Sequence, residues 1–237
     1  MIEKNLLGKT AVVTGATSGI GRAIAVRLAE LRATVFALGR QADALAALER
    51  QSRASRLDMH TQEIELASDE ELQKFVSEMR KVNILVHGAG HIKHGAFKDA
   101  PVSDLDWHYQ VNLRAPYLLT QLLLPNLIET EGQIVFINSS ADRPSGVNKS
   151  QYAATKYGLL AMSECLRDEV KVHGIRVMNM FLGRVATPMQ EAVHKMEKRL
   201  YEPDKLIQPE DVADAVAYAL MTPRTAEVAN INIRATI

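Results

Sequence analysis

Long apolar runs are missing from this chain. No stretch reaches the ~18 unbroken apolar residues of a membrane span, so no membrane partner is expected. Cysteine is nearly absent: Cys165 stands alone. That excludes an intrachain disulfide and points to a reducing, cytoplasmic compartment. Charge of one sign is not in excess either, with 28 basic and 28 acidic residues. The balance gives no reason to expect nucleic acid as a partner. Met1 to Thr10 carries no long apolar core and does not read as a signal peptide. What remains is a soluble globular protein of 237 residues. That length, 1–237, suits one domain with a sizeable core.

Apolar strand-like runs alternate with helical periodicity from end to end. Strands are expected at Thr10–Thr14, Thr34–Leu38, Thr61–Leu66, Asn83–Val86, Gln133–Ile137, Ile175–Phe181 and Asn230–Arg234. Helices are expected at Arg22–Leu31, Gln41–Gln51, Asp69–Met79, Asp104–Leu124, Gln151–Val172 and Pro209–Met221. Ser68 is the expected cap of the third helix. Pro116 must kink the fourth or be accommodated. The strands are apolar on both faces, as in a parallel sheet covered by helices on both sides. The fold class is therefore α/β, a doubly wound, mostly parallel sheet of seven strands, with no repeat or linker.

Tyr152 and Lys156 stand four residues apart, and Ser139 lies thirteen residues before the tyrosine. A tyrosine keeps its proton until about pH 10. An ammonium one helical turn away would lower that value. A phenol so tuned exchanges protons with an alcohol or carbonyl near neutral pH. Taken alone, Tyr152 reads better as a half-buried helix tyrosine with a solvated lysine neighbour.

Thr14-Gly15-Ala16-Thr17-Ser18-Gly19-Ile20-Gly21 joins the first strand to the first helix. Glycines permit a tight turn and close backbone approach. The helix start beyond them favours an anion such as pyrophosphate. About 20 residues on, a dinucleotide fold commonly places an acid on the ribose hydroxyl. Here Gly39-Arg40 ends the second strand instead. A carboxylate would repel a 2′-phosphate, whereas a guanidinium binds it. The expected cofactor is NADP(H) rather than NAD(H), and Ser18 can add a hydroxyl contact. Hydrogen bonds to charge of about 1.5–3 kcal/mol would make that preference roughly ten- to a hundredfold. The alternative is a solvated arginine after a strand.

With these residues in order, the chain resembles the short-chain dehydrogenase/reductase superfamily, in its compact branch, over nearly its whole length. The resemblance rests on Thr14-Gly15-x-x-x-Gly19-x-Gly21, Ala89-Gly90, Val111-Asn112-Leu113, Ser139 and Tyr152-x-x-x-Lys156. It implies a Rossmann fold and assigns roles. Tyr152 is the acid or base, and Lys156 binds the nicotinamide ribose and lowers the tyrosine pKa. Ser139 holds the substrate oxygen, and Asn112 positions a water for proton relay. Glu65 and Leu66 lie near the adenine, Gly88, Ala89 and Gly90 line the cofactor, and Val185 and Thr187 meet the carboxamide. The two long helices pair subunits into a homodimer or homotetramer.

Several positions depart from the family pattern. His87-Gly88 replaces an Asn-Asn pair, which puts some sheet-supporting hydrogen bonds in question. Leu182-Gly183 replaces Pro-Gly, and no glycine-rich tail follows the last strand. Residues 187–205 are implied to form a substrate lid. The basic Lys195, Lys198 and Arg199 there suit either an acidic substrate or a solvated face. His91 and His94 have permissive metal spacing without a third ligand, so no metal is expected. Ser140 competes with Ser139 for the hydroxyl role, and only the spacing to Tyr152 selects Ser139. Cys165, Leu118, Leu122, Leu159 and Met162 read as packed residues. The expected activity is hydride transfer between NADP(H) and a small carbonyl or alcohol. A cofactor-binding regulator on the same fold is the alternative.

Overall fold

The computed structural model describes residues 5–139 and 146–236. Seven strands form one parallel sheet in the order β3-β2-β1-β4-β5-β6-β7. They are β1 (Thr10–Thr14), β2 (Thr34–Gly39), β3 (Met59–Glu63), β4 (Ile84–His87), β5 (Gln133–Ser139), β6 (Arg176–Leu182) and β7 (Asn230–Ile233). The order reverses between β1 and β4, where Ala11 to Thr14 pair with Ile84 to His87. Such a switch point opens a crevice at the carboxyl ends of the strands.

Side chains alternate across the sheet and fill two cores. Ala11 and Val13 face one layer with Ile24, Leu28 and Val216. Those residues come from α1 (Gly19–Glu30) and a late helix at Pro209–Leu220. Val12 faces the other layer with Phe75, Leu123 and Leu159. α2 (Ala42–Ala54) follows β2 and packs Leu48 into the first layer, and α3 (Asp69–Glu78) follows β3 and packs Phe75 into the second. Ser68 caps α3, its hydroxyl accepting from the Glu71 N–H at 3.3 Å. Both faces are covered, which explains strands apolar on both sides.

The expected helix 104–124 is longer and interrupted. It runs as α4 (Val102–Tyr109), a π turn (Gln110–Arg114) and α5 (Ala115–Glu129). The Ala115 N–H reaches the Gln110 carbonyl five residues back. Pro116 has no N–H, and its ring would crowd the Asn112 carbonyl in a regular helix. One widened turn just before the proline removes that conflict. The remaining helices are α6 (Ser150–Val170), α7 (Pro188–Met196) and α8 (Pro209–Leu220). Gly174 ends the α6 region in a left-handed conformation, φ 68°.

Several boundaries differ from expectation, two of them beside that crevice. α1 begins at Gly19 rather than Arg22, because the last glycines of the turn already belong to it. β3 lies at 59–63 rather than 61–66, so Glu65 and Leu66 fall in the loop beyond it. Cys165 is exposed rather than packed. It shares an outer groove of α5 and α6 with Tyr117 and Leu166. Leu159 is in the core, and Leu118, Leu122 and Met162 pack against it partly buried. Among the described residues, no helix is long and apolar enough to cross a membrane.

Candidate active site

Two adjoining clefts open at the carboxyl ends of β1, β4, β5 and β6. The first is walled by the glycine turn, Arg40, Glu65, Leu66 and Gly88 to Gly90. The second holds Ser139, Tyr152, Lys156, Val185 and Thr187. Ile20, Gly88, Ala89, Gly90, Thr187 and Met189 border both.

The glycine turn has the shape a phosphate cradle needs. Gly15 has φ 71°, and a Cβ there would lie 2.7 Å from the Ala89 backbone. A Cβ on Gly21 would lie 2.4 Å from the Gly15 carbonyl oxygen. These side chains are excluded by backbone, so strand, helix and the β4 loop meet closely. Ser18 is the N-cap of α1, yet its side chain makes no capping bond. The first N–H groups of α1 thus remain for an anion. At the far wall, Arg40 lies 3.8 Å from the Glu65 carboxylate. It also sits 5.5 Å from the centre of the Trp107 indole ring. The cleft residues therefore fit a dinucleotide: a glycine cradle, a free helix start and a cation beside the second strand. Glu65 is already engaged, its carboxylate accepting from the Ala67 N–H at 3.0 Å.

β5 and α6 bring the expected catalytic set together. Ser139 ends β5, and Tyr152 and Lys156 occupy successive turns of α6. Ser139 and Tyr152 line the same cleft, and the serine hydroxyl favours the phenolate. Lys156 is 6% exposed. Its Nζ donates to the Ile137 carbonyl at 2.9 Å and lies 6.0 Å from the Tyr152 ring centre. Burial depresses the lysine to a pKa of about 8. The expected lowering of the tyrosine pKa is not found. Burial raises Tyr152 above 10.0, and the Ser139 hydroxyl opposes that rise. The physical reason is that the ammonium points at a β5 carbonyl, not at the phenol oxygen.

Asn112 sits in the π turn and is fully buried. Its Oδ1 accepts from the His91 N–H at 2.7 Å. Its Nδ2 donates to the His91 carbonyl at 2.9 Å and to Thr155 Oγ1 at 3.1 Å. The side chain is fully committed, tying the β4 loop to α6 beside Tyr152. Thr155 in turn donates to the Tyr152 carbonyl at 2.9 Å. Sequence reading placed Asn112 in the site but missed this clamp.

The departures from the family pattern are compensated. His87 is buried, stacks on Phe136 at 4.8 Å and hydrogen-bonds Thr120 Oγ1 at 2.8 Å. Burial, then the charge of Lys156, lowers its pKa to about 3, so it is a neutral packing group. Thr14 Oγ1 accepts from the Ala89 N–H at 3.2 Å, holding the loop after β4. Leu182 pairs with Ile233, and the Gly183 N–H donates to the Ile233 carbonyl at 2.9 Å. Val185 is buried, and Thr187 caps α7, accepting from the Gln190 N–H at 3.1 Å.

His91 and His94 do not meet. His91 packs beside His108 at 4.9 Å, whereas burial and then Lys149 lower the pKa of His94. Among the described residues, no group of three or more His, Cys, Asp or Glu could hold a metal ion. Ser140 lies outside the described residues. His108, which sequence reading passed over, supports the site from beneath. Its Nε2 accepts from the Lys93 N–H at 3.0 Å, and its Nδ1 donates to the Asp104 carbonyl at 2.5 Å. A lone histidine on a helix of mixed polar and apolar residues carries no pattern that would have singled it out.

Comparison with known proteins identifies the family and agrees with the fold. The family model described as short chain dehydrogenase matches residues 9–198. A 3-oxoacyl-acyl-carrier-protein reductase of Aquifex aeolicus is 31% identical, covering 98% of each chain. A metagenomic short-chain oxidoreductase solved with NADP is 28% identical, with TM-score 0.84 over 98% of this chain and 99% of that one. A 7α-hydroxysteroid dehydrogenase solved with NADH and 7-oxo glycochenodeoxycholic acid is 26% identical, with TM-score 0.87 over 97% and 94%. By sequence and fold, the chain belongs to the short-chain dehydrogenase family.

Proposed function

We propose that this short-chain oxidoreductase interconverts a carbonyl compound and its alcohol with NADP(H). One observation carries the reading: Ser139, Tyr152 and Lys156 line one cleft that is continuous with the glycine cradle. The cradle from Gly15 to Gly21, with Arg40, Glu65, Leu66, Gly88 to Gly90, Val185 and Thr187, would hold the dinucleotide. When bound, the nicotinamide supplies or accepts the hydride.

In reduction Tyr152 gives its proton to the substrate oxygen, and in oxidation it takes that proton back. Its raised pKa keeps it protonated at neutral pH, which suits the donor role. Ser139 donates a hydrogen bond to the same oxygen and stabilises charge developing there. Lys156, drawn down to about 8, holds a proton it can readily exchange. Asn112 acts through position, fixing the backbone around His91 and Thr155.

Arg40 supports NADP(H) over NAD(H), as does the NADP-bound relative, although the NADH-bound steroid dehydrogenase shares the fold. Residues 187–205, with α7 above the second cleft, act as the lid within a single domain. Exposed Tyr117 and Tyr157 on α5 and α6 suit pairing of subunits through those helices. A panel of carbonyls and alcohols with both cofactors, followed by NAD(P)H absorbance, tests the activity. Tyr152→Phe is expected to reduce kcat by at least about a hundredfold, within the usual range for an acid–base group. Undiminished turnover in that variant rules the role out. A folded protein that binds NADP(H) but turns over no substrate favours a regulator instead.

A further inference from the structure

We infer that the substrate carries a carboxylate, read by Arg184 and Lys149 at the end of the cleft beyond Tyr152. The inference rests on the oxidoreductase reading and names its substrate class. Among the described residues lining the second cleft, the charged ones are Lys149, Lys156 and Arg184. All three are cations, and none of the described lining residues is an acid.

Lys156 is turned toward β5. Lys149 and Arg184 approach from different elements, one immediately before α6 and one just after β6. Both converge on Glu197 at the end of α7. Arg184 Nη2 lies 2.7 Å from its carboxylate and Lys149 Nζ lies 3.3 Å away. Arg184 Nη1 is buried and has no hydrogen-bond partner among the described residues. An unpaired guanidinium N–H in a buried place is costly until an acceptor arrives.

Arg184, Lys149 and, at 3.8 Å from the solvent side, the exposed Arg199 surround one carboxylate, so the cluster stays net positive and suits an anion. A guanidinium fork with a free N–H suits a carboxylate in particular. His94 beside them is held neutral and adds no charge. The exposed Lys195, Lys198 and Arg199 do not line the cleft. Hydroxy acids and keto acids would thus place C–O at Ser139 and Tyr152, with the carboxylate toward Arg184.

The test compares keto acids of increasing chain length with their primary amides. Steady-state kcat/KM is measured with NADPH, and binding to the cofactor-loaded protein by calorimetry. The acid is expected to exceed its matched amide by about ten- to a hundredfold. Arg184→Gln and Lys149→Gln should each shrink that ratio. Glu197→Gln removes the competing carboxylate and should enlarge it. Loosening of the lid would affect acid and amide alike, so the ratio separates charge recognition from fold damage. Equal use and equal binding of acid and amide overturn the inference, as does a ratio unchanged in both cation variants. If neither charged nor neutral carbonyls consume NADPH, the oxidoreductase reading fails, and the calorimetric ratio still decides the carboxylate site.

Discussion

The Arg40 guanidinium lies over the Trp107 indole, 5.5 Å from its centre, while its other side faces Glu65 at 3.8 Å. An arginine just after β2, lining the first cleft, thus meets a tryptophan from α4. A guanidinium held over an indole is bound by about 0.5–1 kcal/mol at an exposed site. A phosphate offers a stronger, charge-assisted pairing.

Trp107 is the only tryptophan in the chain, so it reports this exchange directly. Titration with NADP⁺ is expected to change its fluorescence as Arg40 leaves the ring. NAD⁺ at equal saturation should change it less. Arg40→Ala should lower the NADP⁺ over NAD⁺ affinity ratio roughly ten- to a hundredfold. An unchanged ratio would remove Arg40 from cofactor selection.

His87 makes the fold acid-sensitive. Its folded pKa of about 3 lies below the unfolded value of 6.5. Below pH 6.5 the unfolded chain binds a proton that the folded chain refuses. Stability is therefore lost as pH falls through that window, by up to about 1.4 kcal/mol per unit from this group. His87→Asn should cost about 1–3 kcal/mol at pH 7 through lost packing and hydrogen bonding. Urea unfolding from pH 7 to pH 4 should show its deficit shrinking. A constant deficit would contradict a buried neutral imidazole.

Lys156 has the same sign at higher pH. Its folded pKa of about 8 lies below the ordinary 10.5. Between those values the unfolded chain holds more protons, so the lysine costs least above pH 10.5 and most below 8. Relative to Lys156→Met, the parent should gain stability on the order of 3 kcal/mol as pH rises from 8 to 10.5. The comparison uses cofactor-free protein and chemical denaturation. A difference flat across that range would mean the ammonium is not desolvated.

Asn112 has all of its hydrogen-bonding groups engaged. Asn112→Ala strands the His91 N–H, the His91 carbonyl and the Thr155 hydroxyl near the protein interior. A loss of about 2–4 kcal/mol in unfolding free energy is expected, with lower kcat in the folded fraction. A variant as stable as its parent would show that water replaces the clamp.

The amino-acid order alone determined the doubly wound sheet, the glycine turn, the place of Arg40 after the second strand and the Tyr152–Lys156 pair. These are local properties. Strand and helix periods act over a few residues, and spacing along one helix fixes which groups share a turn. Pro116 signalled a disturbed helix, though not that the disturbance is a π turn carrying Asn112. Only the tertiary structure decided where Lys156 points and how far Tyr152 is desolvated, and that burial sets the direction of the Tyr152 pKa. Only there does Asn112 reach Thr155 across 43 residues of chain. The same holds for Lys149 and Arg184, which meet Glu197 from three separate elements. Contacts of that kind depend on how elements pack, and packing distance leaves no period in the sequence.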